Sequence, residues 1–249
     1  MKKILLLNIN FLLFLSCATE NTVGKTEAEI LYREAKTLIK DERFILATEK
    51  LNQLKNRYPY SYYATPAELL QADILFEQEN FSDAAAAFLL FKDFHPKHKK
   101  IPYVVYKIAE SFFAQVPETN DRDLESAIEA IKYYREILIS YTSSNYAKDA
   151  KSKIKKCEEM LVGKEQRIAD FYYKVKNYDA AIWRYLDILD NIGNKKIRKH
   201  SMIRLVRSSK RNKAYRKCIS YADTYFQFLE KEDRIVVEGL KMECKKKLN

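Results

Sequence analysis

FILATEKLNQLKNRYP at residues 44–59 and FSDAAAAFLLFKDFHP at residues 81–96 are one pattern written twice, 37 residues apart. Phe44, Ala47, Leu51, Leu54, Tyr58 and Pro59 are answered by Phe81, Ala84, Phe88, Phe91, His95 and Pro96. Twelve positions before each first alanine stands another, Ala35 and Ala72. Such spacing describes two antiparallel helices that cross where side chains are short, the second ended by a proline that cannot continue the helical hydrogen bonds. It is the tetratricopeptide grammar, whose period is about 34 residues; the extra residues fit in a helix end or a turn.

Working outward, Leu31, Ala35 and Leu38 fall on one face of a helix from Glu27 to Asp41, with Glu29, Arg33, Lys36 and Lys40 elsewhere. Its partner runs from Phe44 to Arg57. Ala64–Glu79 and Phe81–Phe94 form the second pair. Tyr103–Gln115 opens a third, separated by a polar insertion, Pro117–Asp123, from Leu124–Tyr141, where Ala127, Ile131 and Tyr134 take the repeat slots. Tyr146–Lys176 reads as one bent helix or two, interrupted only by Gly163, and its end restores the pattern: Ala169 lies twelve before Ala181, followed by Tyr185 and Ile188. A weaker fifth pair, Lys196–Arg211 and Ala214–Leu229, carries Cys218 in the alanine slot, and the tail to Asn249 reads as a cap over the last apolar surface. The expected fold is therefore all-α, a right-handed solenoid of about five tetratricopeptide helix pairs with a C-terminal capping helix. With 4 Gly and 5 Pro in 249 residues, the chain lacks the turn residues of a many-stranded sheet, while 18 Tyr and 13 Phe supply rings to fill gaps beside small residues.

Residues 1–16 read as a signal peptide: Lys2 and Lys3 precede an apolar run, Ile4–Leu15, too short to span a bilayer. Phe14-Leu15-Ser16-Cys17 resembles a bacterial lipobox with Phe14 in place of the usual leucine, which makes Cys17 the lipidated N-terminus and residues 17–26 a polar tether. Two or more acyl chains anchor stably where one does not. Ala18 in place of an aspartate directs such a lipoprotein to the outer membrane. Export exposes Cys157, Cys218 and Cys244 to an oxidising compartment. Free cysteines are mostly buried small apolar groups, which is the expectation for all three; a Cys218–Cys244 bridge has no support in the sequence.

The chain carries a net charge of +11, and losing Lys2 and Lys3 leaves 43 basic against 34 acidic residues. Between residues 195 and 217 stand eleven Lys or Arg and no acid, a basic patch that includes Lys195, Lys196, Arg198, Lys199, Arg204, Arg207, Lys210 and Arg211. Three readings are open: attraction to anionic headgroups, an acidic partner domain, or a solvated face. No nucleic-acid partner is expected of an exported lipoprotein. No cofactor or metal is expected either: His95 and His98 flank a turn proline, His200 is remote in sequence, and no cysteine has ligand spacing. Gly163-Lys164 is followed by Glu165 where a phosphate loop needs Ser or Thr, and no nucleophile motif is present, so no catalytic residue is assigned.

Beyond the repeats, Leu31-Tyr32, Asn56-Arg57-Tyr58-Pro59, Tyr63-Ala64, His95-Pro96-Lys97-His98 and Tyr103-Val104-Val105-Tyr106 resemble the BamD family of outer-membrane β-barrel assembly lipoproteins. So do Asp121-Arg122-Asp123, Asn145-Tyr146-Ala147, Lys164-Glu165, Ala169–Tyr173 and Ala180–Arg184; the resemblance runs from Cys17 to about Asn191. It implies a non-enzymatic scaffold, lipid-anchored on the periplasmic face of the outer membrane. Its C-terminal repeats and cap (residues 124–249) would dock the periplasmic domains of BamA. Its N-terminal repeats (residues 27–116) would receive unfolded outer-membrane β-barrel proteins, with residues 117–123 as a loop between. Arg184 matches the arginine that in the family faces BamA, a planar fork suited to a carboxylate. Tyr32, Tyr103 and Tyr106 are candidates for stacking on an aromatic targeting peptide, against the commoner role of packing between repeats. The same repeat class also suits a different periplasmic adaptor, such as one coordinating cell-wall enzymes.

Overall fold

The computed structural model describes residues 26–248; the signal peptide and Cys17 lie outside the described residues. Eleven α-helices occupy them: α1 (Glu27–Lys40), α2 (Phe44–Arg57), α3 (Ala64–Glu77), α4 (Phe81–Phe94), α5 (Ile101–Ala114), α6 (Glu125–Ser140), α7 (Ala147–Lys174), α8 (Tyr178–Asn191), α9 (Lys195–Arg211), α10 (Tyr215–Tyr225, followed by a 3₁₀ turn) and α11 (Lys231–Lys246). The all-α tetratricopeptide reading holds, and the repeat slots sit where the spacing puts them. Ala35, Ala47, Ala72, Ala84, Ala127, Ala169 and Ala181 have no solvent exposure at all.

The chain separates into two compact units, divided within α3 after Glu68. In the first, α1 packs on α2 around Leu31, Ala35, Ala47, Leu51 and Leu54. The Thr26 hydroxyl caps α1 by accepting the Glu29 amide at 3.3 Å, and the Glu27 carboxylate accepts the Tyr58 hydroxyl and, at 3.5 Å, Arg57. In the second, each helix from α4 onward packs on its neighbour in the chain, and α9 touches both α7 and α11. Its apolar interior has two centres, one around Phe88, Ile108, Tyr134 and Ile137, the other around Tyr185, Ile188, Leu205 and Cys218.

With so few glycines, the turns inside the pairs are built another way. Glu42, Glu79, Lys176 and Lys213 each adopt a left-handed conformation with φ of 57–63°. Each stands two residues before the aromatic that starts the second helix: Phe44, Phe81, Tyr178 or Tyr215. The amide of the following residue reaches back over the turn, Arg43 to the Leu38 carbonyl, Asn80 to Leu75, Asn177 to Tyr172 and Ala214 to Ser209. This is the six-to-one closure of a Schellman motif, normally completed by glycine. Only the α5–α6 pair lacks it, because the insertion stands there.

Two sequence expectations are resolved here. The stretch from residue 147 to 174 is one continuous helix, α7, about 42 Å long. Gly163 lies in its interior beside the insertion loop, where an added Cβ would meet the side-chain amide of Asn120. Cys218 and Cys244 are not free apolar side chains but form a disulfide. The packing of α10 against α11 brings their Cα atoms to 6.5 Å, a separation no spacing rule reveals. Cys157 remains a buried thiol whose pKa burial lifts to about 11.

Replacing the exposed Glu79 by glycine should stabilise the protein by about 1 kcal/mol by relieving the left-handed backbone, read as a shift in the urea midpoint. The paired change Cys218→Ser and Cys244→Ser should cost about 3 kcal/mol, and reducing agent should then have no further effect on the midpoint.

Candidate docking face

A buried alanine followed at once by a carboxylate recurs on the first helix of three pairs: Ala72-Asp73, Ala109-Glu110 and Ala169-Asp170. In every case the carboxylate accepts a tyrosine hydroxyl from another helix. Tyr103 donates to Asp73 at 2.6 Å, Tyr134 to Glu110, and Tyr185 to Asp170 at 2.6 Å. Burial, and then the bond to a carboxylate, raise the hydroxyl pKa of all three tyrosines far above the ordinary value, so each remains a donor. Glu110 also receives Lys153 from α7, an ion pair with both side chains less than one-fifth exposed.

The Asp170 clasp joins three helices. On Oδ1 it takes Tyr185 from α8 and, at 2.8 Å, His200 Nε2 from α9; Arg204 approaches at 3.7 Å while its guanidinium lies 4.6 Å from the Tyr173 ring centre. Burial opposes the Asp170 charge, yet hydrogen bonds from His200 and Tyr185 outweigh it and hold the carboxyl below the usual aspartate range. At Asp73 burial wins, and the carboxyl is raised despite Tyr103 and Lys107. His200, remote from every other histidine in sequence, is thus a structural donor.

This junction fixes α8 and so positions Arg184, one residue before Tyr185. The Arg184 guanidinium is one-third exposed, 3.6 Å from Glu165 of α7 and 5.1 Å from the ring of its neighbour Trp183, which is 61% exposed. Glu165 borders a depression of about 370 Å³ lined by Leu124, Ile128, Leu161, Val162 and Ile192, with Asp123, Glu125 and Lys164 at its edge. The insertion loop forms part of that rim. Lys164 Nζ donates to the Arg122 carbonyl at 3.1 Å, and the Ser126 hydroxyl to that of Gln115 at 3.2 Å. The arrangement joins a cation, an exposed indole and an apolar hollow, as protein-docking surfaces do. Arg184 stood out in the sequence; the hollow did not, because its residues come from α6, α7 and the segments flanking α6 and α8.

The other sequence candidates separate. Tyr32 belongs to the first unit, its ring 5.3 Å from that of Tyr63. Tyr103 and Tyr106 come together in the second, where Tyr106 stacks on Tyr146 at 4.5 Å and donates to Asp149 at 2.7 Å. With both hydroxyls committed, these two rings chiefly hold α3, α5 and α7 together. The basic segment divides as well. Arg198 donates to the carbonyls of Leu189 and, at 3.1 Å, Ile192, closing the end of α8. Lys199 bridges Glu230 at 2.9 Å and Asp233 at 3.3 Å, Lys210 pairs with Glu243, and Arg204 serves Asp170. Lys195, Lys196 and Arg211 are exposed and Arg207 is half-buried.

Successive helix pairs that cross at fully buried alanines define a tetratricopeptide-repeat protein. The chain belongs to the YfiO family, described as outer membrane lipoprotein, whose model matches residues 25–214. It is 29% identical over 210 residues to the outer membrane protein assembly factor BamD of Neisseria meningitidis, covering 78% of this chain and 79% of that one. To BamD of Rickettsia prowazekii it is 28% identical over 178 residues, covering 72% and 70%. A solved structure of the TPR2AB-domain:pHSP90 complex of yeast Sti1 matches 89% of this chain and 84% of its own, at 11% identity and a TM-score of 0.48.

Asp170→Asn should cost about 1–2 kcal/mol at neutral pH through the loss of charge-assisted hydrogen bonds. A carboxyl with a depressed folded-state pKa stabilises above its unfolded value, and that contribution disappears as pH falls through the folded value. The difference between protein and variant, measured by urea titration, should therefore be full above about pH 4 and close at lower pH.

Proposed function

We propose that this protein is an assembly factor for outer-membrane proteins: a non-enzymatic scaffold, anchored by lipid at Cys17 on the periplasmic face, that docks the periplasmic domains of BamA. The observation that carries the reading is that the family match spans residues 25–214 and so contains the whole Arg184 face with its hollow. The two bacterial relatives bear the name of assembly factors over most of their length. In this reading the Arg184 fork exchanges its 3.6 Å contact with Glu165 for a carboxylate of the partner, and Trp183 covers the partner's backbone. The N-terminal repeats then receive unfolded β-barrel proteins. Tyr32 and the edges of Tyr103 and Tyr106 are the rings available to an aromatic targeting strand.

Arg184→Glu and, separately, Trp183→Ala should each reduce BamA recovered in a detergent pull-down from envelope membranes by about tenfold or more. Both side chains are exposed enough to leave the fold intact, which a urea midpoint checks. Full recovery of BamA with both variants would remove this face as the docking site. Recovery of peptidoglycan enzymes in its place would favour the cell-wall adaptor.

A further inference from the structure

The C-terminal half of the basic run meets cations from two other parts of the chain. Helices α7, α9 and α11 are parallel: Asp170 faces His200 while Tyr173 faces Arg204, and Lys199 meets Asp233 while Lys210 meets Glu243. Their C-terminal ends therefore share one edge. Asn212 ties that edge together by donating to Asp179, across from the α7–α8 turn, at 2.6 Å.

Three separate pieces of sequence deliver cations to it. The end of α7 and the residues just after it supply Lys174 and Lys176, and the end of α9, the turn after it and the start of α10 supply Arg211, Lys213, Arg216 and Lys217, all exposed. Lys245, Lys246 and Lys247 come from the end of α11, also exposed. Against them stand Asp179, bonded to Asn212, and Glu243, bonded to Lys210. The Glu243 carboxyl is held below its usual range by Lys210, with Lys246 and Arg211 contributing, so the ends of α9 and α11 are electrostatically in touch. A few lysines at helix C-termini complement the helix dipole, but nine exposed cations against two carboxylates are far more than that needs. Repulsion among them is a standing cost in the isolated protein.

Apolar side chains stand among these charges. Val175, 52% exposed, lies between Lys174 and Lys176, and Phe171, 56% exposed, is one turn earlier on the same face of α7; Leu248, 47% exposed, follows the three lysines of α11. The edge consists of turns and helix ends, and the hollow beside Glu165 is lined by none of its residues. Most of the cations are lysine, a point charge without the fork that a defined carboxylate site rewards. A flat anionic surface with an accessible apolar layer fits these features better than an acidic protein does.

We infer that the edge formed by the ends of α7, α9 and α11 is a binding surface for anionic phospholipid headgroups, with Phe171, Val175 and Leu248 at the acyl boundary. Arg216, Lys217 and Lys245–Lys247 lie beyond residue 214, where the family match ends, so much of this surface belongs to a segment the match does not cover. The inference relies on the proposed function only for the presence of a bilayer and not for the Arg184 face.

The test uses the full mature chain carrying Cys17→Ser, so that no acyl chain contributes, and co-sedimentation with vesicles of phosphatidylcholine with or without roughly 30% phosphatidylglycerol. The protein should sediment with the anionic vesicles alone and be released at about 0.5 M salt. Lys213→Asn, Arg216→Gln and Lys217→Gln together should weaken binding about tenfold or more; asparagine is chosen because it accepts the left-handed backbone at residue 213. A control with equal charge loss at the opposite ends of α9 and α11, Lys195→Gln, Lys196→Gln and Lys231→Gln, should bind as the parent does. Equal weakening by both sets would reduce the effect to net charge, and indifference to phosphatidylglycerol would overturn the inference. If the edge variant kept vesicle binding but lost a protein from envelope extracts, the surface would belong to an acidic protein. Vesicles contain no BamA, so none of these results depends on the docking proposal.

Discussion

The architecture depends on carboxylates placed one residue after fully buried alanines. An alanine lets a neighbouring helix approach closely, and close approach takes the next side chain partly out of water. A carboxylate there is costly unless hydrogen-bonded, and a tyrosine hydroxyl from a neighbouring helix meets that demand. At Asp73, Glu110 and Asp170 the same device fixes the rotation and register of adjoining helices, where apolar packing alone would tolerate sliding. Tyrosine suits the position on both counts. Its ring fills the volume beside the small residue, and its hydroxyl neutralises the cost of the acid behind it.

Around Asp170 this device also reaches the surface. The aspartate holds α7, α8 and α9 through Tyr185, His200 and Arg204, and Arg184 stands next to Tyr185 on the same helix. Arg184 is thus held beside a junction in which one carboxylate bonds side chains from two other helices, and a side chain fixed in this way loses little entropy in any contact it makes. The basic residues of α9 extend the same logic. Arg198, Lys199 and Lys210 fasten α9 to α8 and α11, and the disulfide fastens α11 to α10. What read as one patch along the sequence is, at its N-terminal half, largely a set of internal clasps.

Much of the site was legible in part. Arg184 could be picked out from its surrounding block, and the Ala-acid dipeptides at residues 72, 109 and 169 were a signal available in the sequence, because each falls in the small-residue position of a repeat or one residue past it. The Schellman turns were harder to see, since Glu42, Glu79, Lys176 and Lys213 carry none of the usual glycine. Only their constant distance from the following aromatic marks them.

The sequence by itself determined the helix pairs, their order and the slots where they cross, because these depend on periodicities of a few residues and on where side chains are small. It also carried the family resemblance. Tertiary structure alone decided which cysteines bridge, which lysines are clasps and which form an edge, and that the hollow beside Glu165 exists. Those outcomes depend on residues dozens of positions apart being brought together by helix packing, and sequence distance carries no information about that proximity. Asp170 and His200 illustrate the point: thirty residues separate them in the chain, and 2.8 Å in the fold.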